Sequence, residues 1–218
     1  MTQTEIQNLW KQHLGIVPDA VWEQPGTRVL ILADNGLTAL SPKVANLRDL
    51  RTLDLGHNQL VTVPEELGSL RELRDFLYLH DNQLESLPAS LGRLQKLRYL
   101  NISGNRFAIF PECICSMVNL VELRATDNHL SELPGSIGGL PKLRELHLRN
   151  NSLRTLPAAI ANLSELRQID LRGNPIERLP DALLSLPKLE KLDLRWVSTL
   201  EPPSWFDVLE GRGCLIYR

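Results

Sequence analysis

The chain has 218 residues, with 24 Lys+Arg against 26 Asp+Glu, 43% hydrophobic and 5% aromatic residues, enough to bury a sizeable core as one domain. A net charge of −2 gives no basic footprint for nucleic acid, and charges recur too often for an apolar run of roughly 18 residues able to span a membrane. Its 45 leucines against 4 Phe and 3 Tyr make the core uniform, and a uniform core points to repetition.

The first predicted element is a helix over Glu5–His13, where Ile6, Leu9 and Trp10 share one apolar face suited to covering the end of a core. The opening MTQTEIQNLWKQHLG has no cationic start followed by an apolar stretch, so no cleaved leader is expected. From residue 27 onward asparagines fall at Asn35, Asn58, Asn82, Asn105, Asn128, Asn151 and Asn174, in steps of 23, 24, 23, 23, 23 and 23. Around each returns the frame L-x-x-L-x-L-x-x-N-x-L-x-x-L-P-x-x-I-x-x-L, as in Leu143, Leu146, Leu148, Asn151, Leu153, Leu156, Pro157, Ile160 and Leu163. Leu146 and Leu148 stand two apart, a strand's alternation, whereas Leu156, Ile160 and Leu163 stand four and three apart, a helical spacing. Each copy is therefore a strand, a turn and a short helical return.

Copies laid head to tail must pair their strands in parallel, with the returns stacked across a shared leucine core. Strands then line the concave face and returns the convex one. The Asn amide, with donors and an acceptor, suits a turn that would otherwise bury unpaired backbone groups, so the seven are expected to form a ladder. Pro64, Pro88, Pro111, Pro134, Pro157 and Pro180 fix φ and need no donor where each return begins.

Counting back 23 from Asn35 reaches Gln12, with Leu9, Leu14, Val17, Pro18 and Val21 in frame, so residues 1–26 read as a helical cap over a degenerate repeat and residues 27–209 as the repeats. The step of 24 places one extra residue among Arg74, Asp75 and Phe76, where a bulge either re-aims nearby side chains or is a tolerated insertion. At the far end Val197 replaces the next Asn, while Leu200, Pro203, Phe206 and Leu209 keep the frame. Leu215 and Tyr217 then take strand positions, so residues 210–218 are expected to cap the solenoid as a ninth, edge strand. The coincidence of repeat end and chain end reads as a complete protein or a neatly cut domain.

These residues resemble the leucine-rich repeat family, and the L-P-x-x-L-x-x-L half is similar to the 23-residue intracellular class of bacterial and Ras-associated repeat proteins. The resemblance implies an α/β fold: a right-handed horseshoe solenoid with a parallel sheet of about nine strands inside the arc and short helical or 3-10 turns outside. It also implies a scaffold that binds proteins or peptides. The catalytic cysteine domain of the bacterial repeat-containing ubiquitin ligases is not expected in these 218 residues.

Alternation predicts three outward columns on the concave face. The first is Val29, Thr52, Phe76, Tyr99, Glu122, Glu145, Gln168 and Lys191; the second Ile31, Asp54, Tyr78, Asn101, Arg124, His147, Asp170 and Asp193; the third Ala33, Gly56, His80, Ser103, Thr126, Arg149, Arg172 and Arg195. Within them Phe76, Tyr78, His80 and Tyr99 gather in a chain poor in aromatics, either as an anchor for a partner or packed on one another. Arg149, Arg172 and Arg195, followed in frame by Arg218, lie about 4.8 Å apart from strand to strand. They form a dock for an acidic segment or a charge ladder compensated by Glu122, Glu145, Asp170 and Asp193. Trp196 at the same end serves as a further anchor or shields the last turns.

Chemistry beyond binding has little support. His57 and His80 meet near the exit turns as a metal pair with no second carboxylate or thiol clearly joining, so no metal, cofactor or catalytic residue is assigned. Cys115 fills a small-residue slot, which favours a structural thiol over a redox C-x-C with Cys113. Gly135, Gly138 and Gly139 lie in a return segment and no G-K-[ST] follows, so no phosphate loop is expected. Three cysteines, an odd number without terminal disulfide caps, point to a reducing compartment. The expectation is a cytoplasmic, monomeric, non-enzymatic protein that binds a protein or peptide. A secreted bacterial effector aimed at a host protein is the alternative, and a metal-dependent enzyme working through His57 and His80 a more distant one.

Overall fold

The computed structural model describes residues 5–218. Ten three-residue strands, β1 (Ile6–Asn8), β2 (Val29–Ile31), β3 (Thr52–Asp54), β4 (Phe76–Tyr78), β5 (Tyr99–Asn101), β6 (Glu122–Arg124), β7 (Glu145–His147), β8 (Gln168–Asp170), β9 (Lys191–Asp193) and β10 (Leu215–Tyr217), form one parallel sheet in strict chain order. Every pair is aligned first residue to first residue, as in Phe76↔Tyr99 and Tyr99↔Glu122. The central residue of each repeat strand is buried while its neighbours line the concave face, because a one-residue slip would exchange core and solvent faces; Asp193, expected to point outward, is instead buried beneath the Arg172 and Arg195 side chains that pair with it.

Seven 3-10 turns, from Pro42–Asn46 to Asp181–Ser185, stack on the convex side. Their period follows from the leucines: Leu67, Leu70 and Leu73 stand three apart, and Leu70 N–H and Leu73 N–H donate to Leu67 O and Leu70 O at 3.3 and 2.9 Å. The six repeat prolines stand just before these turns, as at Pro64 with φ −71° and Pro157 with φ −69°. Such an array is a right-handed leucine-lined solenoid, the handedness that parallel crossovers impose.

The asparagines hold the turns. Asn58 Nδ2 donates to Leu55 O (2.9 Å) and Gly56 O (3.0 Å) in its own turn and to Leu32 O (3.1 Å) in the preceding coil. Its Oδ1 accepts from Asn35 N–H (3.1 Å) and Leu37 N–H (3.0 Å) of that coil. Asn35, Asn82, Asn105, Asn128, Asn151 and Asn174 reach back in the same way, and all seven are buried. Where Val197 breaks the series, Thr199 Oγ1 donates to Ile176 O at 2.6 Å and takes over part of the stitching.

Two expectations need correction. Ile6–Asn8, within the span expected to be helical, is strand β1, and Ile6 and Trp10 are exposed rather than buried. The reason is the open edge of β2. Val29 N–H donates to Glu5 O (3.0 Å) and Leu9 N–H to Ile31 O (2.9 Å), bonds a helix lying there could not supply. Gln7 takes the buried middle position, its amide donating to Thr27 Oγ1 at 2.6 Å and Val21 O at 3.3 Å. A short helix, α1 (Asp19–Trp22), does form later, and its Trp22 plugs the core. The first four residues of the expected cap lie outside the described residues. With β1 added the sheet has ten strands, so the C-terminal edge strand is the tenth, preceded by helix α2 (Phe206–Gly211).

The extra residue is absorbed ahead of β4 and not inside it. At β2, β3, β6, β7, β8 and β9 the strand's first residue and its predecessor share one carbonyl, as Thr52 and Arg51 do on Arg28 O. Here Arg74 and Asp75 share Arg51 O, at 3.3 and 3.0 Å. Asp75 bends out and the Thr52↔Phe76 register is kept.

Replacing Asn105 by Ala would leave Leu79 O, Ile102 O, Ser103 O and Leu84 N–H without their side-chain partner. Urea unfolding is expected to show a loss of about 3–5 kcal/mol, since each buried unpaired group costs about 1–3 kcal/mol.

Candidate functional site

The outward columns of the sheet bring together the aromatic residues named from sequence. Ring centroids lie 5.8 Å apart for Phe76 and Tyr78, 5.4 Å for Phe76 and Tyr99, and 5.1 Å for Tyr78 and Tyr99. His80, two residues beyond Tyr78 on the same face, stands 5.9 Å from it. The rings pack on one another, yet Phe76 remains exposed and a hollow of about 220 Å³ opens beside it between Asp75, Tyr99, Arg98 and Glu122. Burial pushes the Tyr78 and Tyr99 hydroxyls above their usual range, so both stay neutral donors at physiological pH. Burial also lowers His80, with His57 adding to the effect.

Asn101 and Arg124 continue the second column. Asn101 Oδ1 accepts Ser103 N–H at 3.0 Å. Arg124 lies 6.0 Å from the Tyr99 ring and donates from Nε to Glu122 Oε1 at 2.6 Å. His147 Nε2 lies 3.1 Å from Glu145 Oε2 and 3.8 Å from Glu122 Oε1. A second hollow of about 430 Å³ runs along the concave face from His80 and Asn101 to Arg172 and Lys191.

The arginine column carries its own counter-charges. Arg172 grips Asp170 with Nε and Nη2 at 2.9 and 2.6 Å, and Arg195 grips Asp193 at 2.9 and 2.7 Å, each a fork from two residues past the strand's last carboxylate. Arg149 Nη2 donates to Asp127 Oδ2 at 3.1 Å. Stacked guanidinium groups thus alternate with carboxylates. Trp196 is 70% exposed with Arg172 over its ring at 5.7 Å. Sequence reasoning missed Tyr217 as part of this face; its ring lies 5.4 Å from both Lys191 Nζ and the Arg195 guanidinium. It also missed Asp127, because that residue belongs to the turn and not to a strand column. The signal lay in the residue before each ladder Asn.

Among the described residues, two sets of side chains could hold a metal ion: His57, His80 and Asp81 at the exit turns, and Glu122, Glu145 and His147 on the strands.

The leucine rich repeat pattern matches residues 25–84, 75–130 and 119–176, well over half of the chain. The chain belongs to the leucine-rich repeat family. Leucine-rich repeat-containing protein 58 of Xenopus laevis is 31% identical over 83 residues, 38% of this chain and 24% of that protein, so the chain matches about a quarter of the length of this curated relative. The leucine-rich repeat domain of the type III effector XopL is similar in structure over 100% of this chain and 77% of its own, with a TM-score of 0.83 and 25% identity. The plant peptide hormone receptor RGFR1, solved in complex with RGF2, is similar over 83% of this chain and 30% of its own, with a TM-score of 0.74 and 32% identity.

The last repeat gives a pH test. Asp193 is 1% exposed. Burial favours its neutral form, but the Arg195 side chain and N–H and the nearby Arg172 outweigh it and hold the carboxyl below the usual range. A depressed carboxyl contributes stability that is fully present above its unfolded value and is lost as pH falls through the folded one. Asp193→Asn is expected to destabilise the protein by roughly 2 kcal/mol at pH 7. In thermal or urea unfolding across pH, the gap from wild type should narrow below about pH 4.

Proposed function

We propose that this leucine-rich repeat protein is a non-catalytic binding module whose concave face takes a protein or an extended peptide, with Phe76, Tyr78 and Tyr99 as the anchor. The observation that carries this reading is the aromatic group itself: three rings share one strand-lined surface, beside an open hollow. Rings held by mutual packing lose little freedom on binding, which is why aromatic clusters make effective contact points. The second hollow, lined by His80, Asn101, Arg124, His147 and Arg172, extends the surface along the arc as a polar track. The complex of RGFR1 with RGF2 supports a peptide as occupant, by analogy of fold. In this reading the paired arginines give register and exclude wrong partners, since their carboxylates already occupy the forks. The net charge of −2 argues against nucleic acid, and among the described residues no helix is long and apolar enough to cross a membrane. We place the protein as a monomer in the cytoplasm, a setting in which its three free thiols persist.

A second reading, an exported effector that binds a host protein, is favoured by the similarity to the XopL repeat domain over the full length of this chain. It uses the same face and differs in where the partner is met, which fractionation of the producing cell resolves.

Replacing Tyr78 and Tyr99 together by Ala should weaken partner binding by about 30-fold or more, since anchors of this type are worth about 2 kcal/mol or more. Affinity capture followed by calorimetry on the recovered partner measures this, with circular dichroism to show that the fold is kept. Unchanged affinity would remove the aromatic anchor from the account.

A further inference from the structure

We propose that His57, His80 and Asp81, at the exit turns of β3 and β4, form a binding site for a divalent transition-metal ion of the zinc class. The three side chains each offer one ligand atom, all within 4.8 Å of one another. His57 Nδ1 and Asp81 Oδ2 are 3.2 Å apart; ligands about 2.0–2.1 Å from a tetrahedral zinc ion stand about 3.3 Å from each other. The two imidazoles meet edge to face with centroids 4.8 Å apart, and the His57 side chain is exposed.

Two further features bear on the site. The first is the backbone at His57. The residue before each ladder Asn is left-handed, and Asp34, Asp81, Gly104, Asp127, Asn150 and Gly173 are types that tolerate this conformation. His57 adopts it too, at φ 52°, a conformation that histidine also tolerates, and its ring there meets a second imidazole. An Asp–Asn pair bridges the same column at Asp127 and Asn150 without any imidazole (2.7 Å), so the stack itself does not require one. The second feature is the seat of His80. Its ring lies over Gly56, where a Cβ would come within 2.3 Å of Cε1, and its buried Nδ1 has no hydrogen-bond partner. Asp54 Oδ1 accepts Gly56 N–H at 2.9 Å and fixes that floor.

The donor set selects the metal. Two nitrogens and one carboxylate oxygen suit zinc, cobalt or nickel, whereas calcium and magnesium take all-oxygen shells. Three protein ligands leave a coordination position for water or for a partner's side chain. The ion would tie two neighbouring coils together at the end of the aromatic group, 5.9 Å from Tyr78 at His80. The Glu122–Glu145–His147 set is the weaker candidate: it has a single imidazole, and Arg124 already holds Glu122.

The test is calorimetric titration of the full chain with zinc chloride, paired with cobalt substitution, whose visible spectrum reports tetrahedral ligation. A single saturable site is expected for wild type and for His147→Asn, and its loss for His57→Asn and His80→Gln. His57→Asn is the informative variant because Asn suits the left-handed backbone, so its metal-free melting temperature should match wild type. Absence of saturable zinc binding in wild type would overturn the proposal. So would binding that survives His57→Asn, whether it then depends on His147 or on a cysteine.

Discussion

A turn inside a stack cannot reach water, and everything else in this molecule follows from how that turn is satisfied. Each strand ends by bending sharply toward the convex side, which leaves carbonyls and N–H groups facing the neighbouring coil. One Asn per coil serves its own turn with Nδ2 and the coil before it with both Nδ2 and Oδ1, as Asn58 does for Gly56, Leu32 and Leu37. Because each amide spans two coils, the spacing of coils and the register of strands are fixed together. The leucines supply the driving force for stacking; the amides select one way to stack.

The same turn shapes the functional edge. The exit turn holds the residue before the ladder position in the left-handed region, even where Gln12 or Val197 stands in place of Asn, so a second column runs beside the ladder: Lys11, Asp34, His57, Asp81, Gly104, Asp127, Asn150, Gly173 and Trp196. Its members reach the same column one coil away or the third concave column beside it. Lys11 pairs with Asp34 (3.3 Å), His57 with Asp81 (3.2 Å), and Asp127 with Arg149 (3.1 Å). The glycines at 104 and 173 make room, since a Cβ at either would lie within 2.2–2.3 Å of Asp81 Oδ1 or Asn150 Oδ1. A backbone requirement thereby places charged and ligand-bearing side chains at the rim of the binding face.

Much of this was legible in the sequence because translational symmetry multiplies a weak signal. One L-x-L pair says little, but repeated in frame it marked the strand residues, and the outward columns lie where alternation put them except at Ala33, Gly56 and Asp193, which are buried. Where symmetry lapses, legibility lapses too. Ile6, Leu9 and Trp10 suit a helix by local spacing, yet the unpaired edge of β2 draws Ile6–Asn8 into the sheet, an interaction that amphipathicity does not encode. The buried Trp22 was overlooked for the same reason, since the degenerate copy replaces a 3-10 turn with α1. On the concave face the positions were readable and the pairings were not. Whether Arg172 turns to Asp170 or to a ligand depends on rotamers, and the answer, a fork on Asp170, required coordinates.

Native-state hydrogen exchange on the amides that donate to the ladder addresses the central claim directly. Leu37, Leu60, Leu84, Phe107, Leu130 and Leu153 each give their N–H to an Asn Oδ1 of the following coil, at 2.9–3.1 Å. They belong to no strand or helix, so only the amide rungs protect them. These six are expected to exchange as slowly as the central strand amides, opening only when the stack itself unfolds. Exchange at the rate of ordinary surface turns would mean that the rungs do not hold the coils together.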